Sequence, residues 1–156
     1  MKIQRNGLEL EQVLPTKRQI DELYRQLNSR RHTISHKSPA NYAEHARFVE
    51  DHPYRAWFIV KCGLRAVGSV YLQYDNSIGL NSLDLLTEKQ IESILQILGE
   101  QFPPLEALAS VRPENFFLNV SSSDFDLQEK LIKIGLVEIQ RSFVFEGNSE
   151  GCKRDH

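Results

Sequence analysis

The sequence predicts a mixed α/β layer fold, a largely antiparallel central sheet with flanking helices. Three observations carry that reading. Four segments repeat their apolar residues with a helical period, and each opens on a capping residue. Between the second and third of these lies an apolar hairpin pattern, Ala56 to Val60 and Ala66 to Leu72 around Gly63. Shorter strand-like stretches flank the helical segments, giving the order β-α-α-β-β-β-α-β-α-β.

Each element has its own signal. Leu8, Leu10 and Leu14 are spaced by even numbers in a polar background, which predicts a first strand over 8–14 that Pro15 ends. Thr16 and Gln19 have capping-box spacing. Ile20, Leu23, Tyr24 and Leu27 follow at i, i+3, i+4 and i+7, a helix over 16–28. The polar stretch from Arg30 to Lys37 has no period. Asn41 with Glu44 resembles a second capping box, and Tyr42, Ala46 and Val49 mark one face of a short helix ending before Pro53. After the hairpin, Asp75-Asn76 turns the chain into a short strand, Ser77 to Asn81. Thr87 and Gln90 form a third box, ahead of a helix whose buried face is Ile91, Ile94, Leu95 and Leu98. Pro103-Pro104 breaks it. Phe116 to Val120 reads as a buried strand, and Ser123 or Asp124 caps a fourth helix carrying Leu127, Leu131 and Ile134, with Gly135 at the position of a left-handed C-terminal cap. Val137, Ile139, Phe143 and Phe145 alternate, which predicts a last strand.

Composition narrows the function classes. A chain of 156 residues is long enough for one domain with its own core, and we assign it 1–146, with a polar tail over 147–156 that frays. Apolar residues make up 40% and charged residues 26%, the balance of an ordinary globule. The net charge of −2 argues against broad binding to nucleic acid or anionic lipid, which needs many uncompensated Lys and Arg. No apolar run approaches the roughly 20 residues that span a bilayer, and the first residues, Met1 to Asn6, lead into no signal-peptide core. Two cysteines, Cys62 and Cys152, make a disulfide framework unlikely to form and fit a reducing cytoplasm.

The element order, the central hairpin and the run Leu131 to Leu136 near the end resemble the GNAT superfamily of N-acetyltransferases. The resemblance covers about residues 8–146. It is carried by Ile34 to Lys37, Glu44-His45 with Phe48-Val49, Pro53 to Trp57, and Val67 to Leu72 followed by Ile78-Gly79. It implies a bacterial protein that uses acetyl-CoA as co-substrate to acylate an amine. It also implies that splayed strands hold the pantetheine arm, which places cofactor binding at Leu80 and Asn81, at Lys89 and at Asn119. In the family, the pyrophosphate sits on the backbone amides of a glycine-containing loop that opens the following helix, where N–H groups and the helix dipole bind the anion. Here that loop reads Thr87-Glu88-Lys89-Gln90-Ile91-Glu92, with none of the glycines and with carboxylates at two of their positions. Only Lys89 could reach a phosphate. Many family members also carry a tyrosine on the fourth helix to protonate the leaving thiolate. The matching position is Leu131, which can do no proton chemistry.

Several residues remain candidates for chemistry. His36, between Ser35 and Lys37, could take a proton from a substrate ammonium, or be an ordinary loop histidine. Glu44 could serve as a second base, or complete a capping box. His45 falls on or beside the buried face of its helix, the setting of a structural histidine. Tyr54, Arg55 and Trp57 open the hairpin as a substrate-cleft wall or as an aromatic core edge with a snorkelling arginine. Tyr71 is a further hydrogen-bonding candidate. The histidines and cysteines lack zinc-ligand spacing, so no metal is expected. Ser121-Ser122-Ser123 lacks the glycines of a nucleophile elbow, and Cys62 has no histidine near in sequence. Two readings follow: an N-acetyltransferase-like protein acting on a small-molecule amine such as an amino sugar, or a non-catalytic module binding a protein partner. Either is compatible with a monomer or a homodimer.

Overall fold

The first twelve residues build a hairpin, where the sequence pattern had suggested only its second strand. In the computed structural model, which describes residues 1–29, 41–83 and 86–147, β1 (Lys2–Arg5) pairs antiparallel with β2 (Leu8–Gln12). The turn is Asn6-Gly7, with φ of 51° and 78°. Two successive positive-φ residues make the tight turn whose twist matches its strands, and Asn-Gly adopts it at least cost. β2 stops at Gln12, two residues short of the expected strand end. Val13 is nonetheless buried and donates its N–H to the Trp57 carbonyl at 2.9 Å.

α1 (Lys17–Asn28) starts at Thr16, whose hydroxyl accepts from the Gln19 N–H at 3.3 Å. The expected box is only half made, because the Gln19 side-chain oxygen accepts from the Leu14 N–H instead. α2 (Tyr42–Glu50) starts at Asn41, whose Oδ1 accepts from the N–H groups of Ala43 (2.8 Å) and Glu44 (3.3 Å). The Glu44 carboxylate does not close a box there, so the capping role expected of it falls to Asn41 alone.

β3 (Ala56–Cys62) and β4 (Arg65–Leu72) form the predicted hairpin, and β5 (Ser77–Ser82) pairs antiparallel with β4. The β3–β4 register shifts between Val60 and Lys61, which makes Val67 an extra residue in β4. α3 (Glu88–Gln101) carries the complete Thr87–Gln90 box. β6 (Phe117–Leu118) is parallel to β5 and shorter than expected. α4 (Phe125–Lys133) is capped by Asp124. It closes on Gly135 at φ 102°, with Gly135 N–H to Ile132 O (3.0 Å) and Leu136 N–H to Leu131 O (2.9 Å). These two bonds form a Schellman cap, which needs a left-handed residue at the glycine.

The sheet order is β1-β2-β3-β4-β5-β6. Alternation sends Leu8, Leu10, Phe58, Val60, Val70, Leu72 and Ile78 to one face, against Ile91, Ile94, Ile97 and Leu98 of α3 and Leu131 of α4. Val13, Trp57 and Ile59 go to the other face, against Ile20 and Leu23 of α1 and Val49 of α2. The result is three layers, with helices on both faces of a sheet that is antiparallel except at its β6 end. The last predicted strand is absent. Residues 137–147 form no strand, and Val137, Ile139, Phe143 and Phe145 are 74–90% exposed. The expected tail over 147–156 lies outside the described residues except for Gly147.

Candidate active site

β5 and β6 share two register pairs, Ser77 with Phe117 and Ile78 with Leu118, and then part. β5 continues through Gly79, Leu80, Asn81 and Ser82, which among the described residues pair only with β4. A backbone edge that would ordinarily be paired is therefore open on one side along Leu80 and Asn81, in the middle of the molecule. Asn119 follows directly on the far side of this splay and is exposed. Leu80 packs its side chain toward α3 and α4, and Asn81 stands opposite Ser69 of β4.

The chain is brought to the splay by a residue the sequence reading passed over. Asn76 is fully buried at φ 69°. Its Nδ2 donates to the carbonyls of Leu105 (2.9 Å) and Pro113 (2.8 Å), and its Oδ1 accepts from the Leu105 N–H (2.9 Å). Its own carbonyl accepts from the Phe117 N–H at 3.2 Å, the first bond between β5 and β6. The Asp75-Asn76 dipeptide is recognisable as a turn, but nothing local marks its amide as the tie to residues 105–117.

Over the start of the splay lies Tyr71. A Cβ on Gly79 would fall inside the Tyr71 ring and against its hydroxyl, so the phenol covers the residue just beyond the last β5–β6 pair. Tyr71 in turn stacks on Tyr54, with centroids 4.1 Å apart and planes 13° from parallel. Tyr54 meets Trp57 edge-on at 5.2 Å, and Phe48 and His52 complete the group. The Trp57 indole N–H is buried and has no hydrogen-bond partner among the described residues. The His52 Nδ1 accepts from the Tyr54 N–H at 3.2 Å, and burial pushes its pKa below the usual histidine value against the opposing pull of Asp51.

Of the expected cleft-wall residues the structure brings Tyr54 and Trp57 together, with Tyr71 beside them, and sends Arg55 elsewhere. The Arg55 guanidinium donates to the Pro103 carbonyl at 3.0 Å and lies 5.9 Å from the Phe102 ring centroid, at the end of α3. His36 lies outside the described residues. Glu44 sits exposed on the first turn of α2, and among the described residues its carboxylate makes no hydrogen bond or ion pair. His45, as expected, is structural: it is buried, with Nε2 3.1 Å from the Ile20 carbonyl oxygen. Cys62 ends β3, and its Sγ accepts from Gln90 Nε2 at 3.4 Å.

The start of α3 is closed by its own side chains. Gln90 Oε1 accepts from the Thr87 N–H at 2.9 Å, and Thr87 Oγ1 accepts from the Gln90 N–H at 3.1 Å. The amides of Glu88 and Lys89 are the ones this box leaves open, and the Glu88 carboxylate lies 3.8 Å from Lys133 of α4. Lys89 is exposed beside it. The splay thus leaves strand backbone unpaired among the described residues, and the start of α3 has its Thr87 and Gln90 amides engaged by the box. Among the described residues no group of three His, Cys, Asp or Glu could hold a metal ion, and no described helix is long and apolar enough to cross a membrane.

No model of a protein family matches the chain, and no curated sequence does. Solved structures do match. A dodecameric spermidine N-acetyltransferase from Vibrio cholerae superposes with a TM-score of 0.58 at 15% identity, over 92% of this chain and 88% of its own. An aminoglycoside acetyltransferase from an uncultured soil metagenomic sample, in complex with sisomicin, gives 0.56 at 12%, over 92% and 98%. An aminoglycoside N-acetyltransferase in complex with CoA gives 0.56 at 12%, over 94% and 99%. At these identities the likeness lies in the path of the backbone. The chain has the fold of the GNAT N-acetyltransferases.

Proposed function

We propose that this protein is an acyl-CoA-dependent N-acyltransferase for a small amine, holding its donor by the thioester end. The observation that carries the reading is the splay: β5 presents unpaired backbone along Leu80 and Asn81 where β6 has turned away. Strand edges bind extended amides by ladder hydrogen bonds, and the pantetheine arm of acetyl-CoA is such a chain. Neighbours of the same fold are named for spermidine and aminoglycosides, and one was crystallised with CoA. This supports a polyamine or amino-sugar acceptor. The aromatic group of Tyr54, Trp57 and Tyr71 suits an approaching ammonium, which is attracted to ring faces. Once neutral, the amine nitrogen attacks the thioester carbonyl, the C–S bond breaks, and the thiolate leaves and takes up a proton. The proton lost by the amine passes to Glu44, His36 or water. Strand-end amides stabilise the oxyanion, and in this reading the Tyr71 hydroxyl, which lies over Gly79, orients one of the reacting groups. The free thiol of Cys62 agrees with the cytoplasm as the working compartment.

A second reading has its own observation. The Thr87–Gln90 box and Glu88 occupy the place where a CoA pyrophosphate would be gripped. A fold that has given up the donor and serves as a binding or assembly module would look the same there. Calorimetry with acetyl-CoA separates the two, followed by acetyl transfer to a panel of polyamines and amino sugars. Heat of binding and transfer support the enzyme. No heat and no thermal shift at roughly millimolar donor, where even weak ligands register, leaves only the module. Where acetyl-CoA binds, Glu88→Gly tightens it by about fivefold, because a carboxylate at a helix start opposes an anion by about 1 kcal/mol.

A further inference from the structure

The parting of β5 and β6 is decided on the β6 side. β5 runs beside β4 without a register shift, from Ile78 against Leu72 to Ser82 against Gly68, so no bulge bends it away. The Phe117 N–H bonds the Asn76 carbonyl and Phe117 pairs with Ser77, which sets the phase of a parallel ladder. Continued in that phase, the ladder would join the Leu80 N–H to the Asn119 carbonyl and the Ser121 N–H to the Leu80 carbonyl. The Ser121 carbonyl would then receive the Ser82 N–H. The strand instead ends at Leu118. An unpaired strand edge is a template for any segment beside it, so residues 119–122 must be held off.

What holds them is α4. The Asp124 N–H donates to the Ser121 carbonyl at 3.0 Å and closes a turn, within which Ser121 Oγ lies 3.0 Å from Ser123 Oγ. From inside the helix the Gln128 side chain reaches back to the same turn. Its Nε2 donates to the Ser121 carbonyl at 3.0 Å and to the Ser122 carbonyl at 3.2 Å. The carbonyl that a continued ladder would aim at Ser82 therefore takes two donors on the α4 side. The helix has no need of these bonds for its own start, because the Asp124 carboxylate already accepts from the Leu127 N–H at 3.2 Å.

We propose that Gln128 is the positioning residue of the splay: its amide keeps Ser121 and Ser122 on α4, and without it β6 extends along β5 and covers the backbone of Leu80. That an acyl donor then loses its place rests on the proposed function; the state of the β5 edge does not.

Amide exchange on the full chain, followed residue by residue by NMR, reads that edge directly. The Gln73 N–H to Ser77 carbonyl bond sets the phase in which Gly79 and Asn81 face β4 and Leu80 faces the splay. In the wild type Leu80 should exchange about tenfold or more faster than Gly79 and Asn81. Gln128→Leu should slow Leu80 by about tenfold, as an open amide becomes a ladder amide. Gln128→Glu keeps the shape, loses the donors and suits the start of a helix, so it should slow Leu80 equally with α4 intact. Gln128→Lys can still donate to both carbonyls and should exchange as the wild type does. By calorimetry, Gln128→Leu and Gln128→Glu should bind acetyl-CoA about tenfold more weakly, and Gln128→Lys should not. A wild type that binds no acetyl-CoA, with Leu80 slowed in Gln128→Glu, removes the donor and supports the role of Gln128. Leu80 exchange unchanged in both Gln128→Leu and Gln128→Glu overturns the proposal, whatever the donor does. So does a wild-type Leu80 as slow as Gly79, or a slowed Leu80 that Gln128→Lys fails to restore.

Discussion

Asn76 shows how much of this structure hangs on single polar side chains. Its amide makes three bonds to backbone groups of Leu105 and Pro113 at full burial, and its left-handed backbone suits asparagine better than most residues. Asn76→Ala would leave two carbonyls and an N–H unpaired and strain the turn, at a cost of about 3 kcal/mol or more. Asn76→Gly keeps the backbone conformation and isolates the lost bonds, so in urea denaturation it should retain a large part of that loss. Glu11 presents a different case. Its carboxylate is buried beneath α1 and between strands, where it receives Lys61 at 2.7 Å, Gln19 at 2.8 Å and the guanidinium of Arg18. Burial pushes the group's pKa up, but the hydrogen bonds from Lys61, Gln19 and Arg18 together outweigh it and hold the value at about 2, below the ordinary 4.5. The folded state therefore binds the proton less readily than the unfolded one, and the stabilisation is complete above pH 4.5 and lost as the pH falls toward 2. Glu11→Gln should cost about 2 kcal/mol at pH 7. That difference from the wild type should shrink as the solution is acidified through this window. A difference that stays constant with pH would show that the carboxylate charge is not what stabilises.

The contact of β4 with β5 is the element on which the candidate site turns. Gly79 has no room for a Cβ because the Tyr71 ring occupies it, and Tyr54 holds that ring from its other side. Gly79→Ala should destabilise by about 1–3 kcal/mol through overpacking. Tyr71→Ala removes the obstruction, so the double variant should be more stable than the sum of the single losses predicts. Strict additivity in thermal unfolding would mean that the ring swings away freely and does not cover the splay. Legibility follows the same local logic. The four helices are readable because caps and period are written within each segment: Thr87 with Gln90, Asp124, and Gly135 after the last turn. The central hairpin is readable because both strands carry apolar runs, Ala56 to Val60 and Val67 to Leu72 interrupted only at Gly68 and Ser69, about a glycine turn. β1 was not, since Lys2, Gln4 and Arg5 hide its alternation, though Asn6-Gly7 was a usable turn signal. β6 shrinks to two residues because β5 leaves it, an event set by tertiary geometry. At the other extreme, 137–145 has a strand's alternation and forms no strand among the described residues, for periodicity records a preference that pairing must complete. Among the site residues, Tyr54, Trp57 and Tyr71 come together as aromatic spacing around one hairpin allows. Arg55 leaves them because its long side chain reaches the end of α3.

At the scale of the whole molecule the two ends of the cleft differ in kind. The middle of the sheet has backbone that is unpaired among the described residues, and such an edge bonds amides without regard to charge. The start of α3 is closed by its box and bears Glu88 in a first turn that would otherwise attract an anion. The net charge of −2 does not reveal this, because what matters is where one carboxylate stands. In the proposed function the donor draws its affinity from the pantetheine arm, with Lys89 the cation exposed at the start of α3. Where a helix start cradles a pyrophosphate, several charge-assisted bonds of about 1.5–3 kcal/mol each favour the nucleotide-bearing donor, amounting to a hundredfold or more. For this protein, acetyl-CoA and acetyl-pantetheine should bind within about tenfold of each other, and the acetyl-CoA affinity should fall little as salt is raised. Calorimetry with both donors at low and high ionic strength measures this directly. A preference of a hundredfold for acetyl-CoA would mean that the Thr87–Gln90 box opens on binding and that the pyrophosphate is gripped after all. Near-equal binding would make the splay alone the donor site, with the helix start serving the fold.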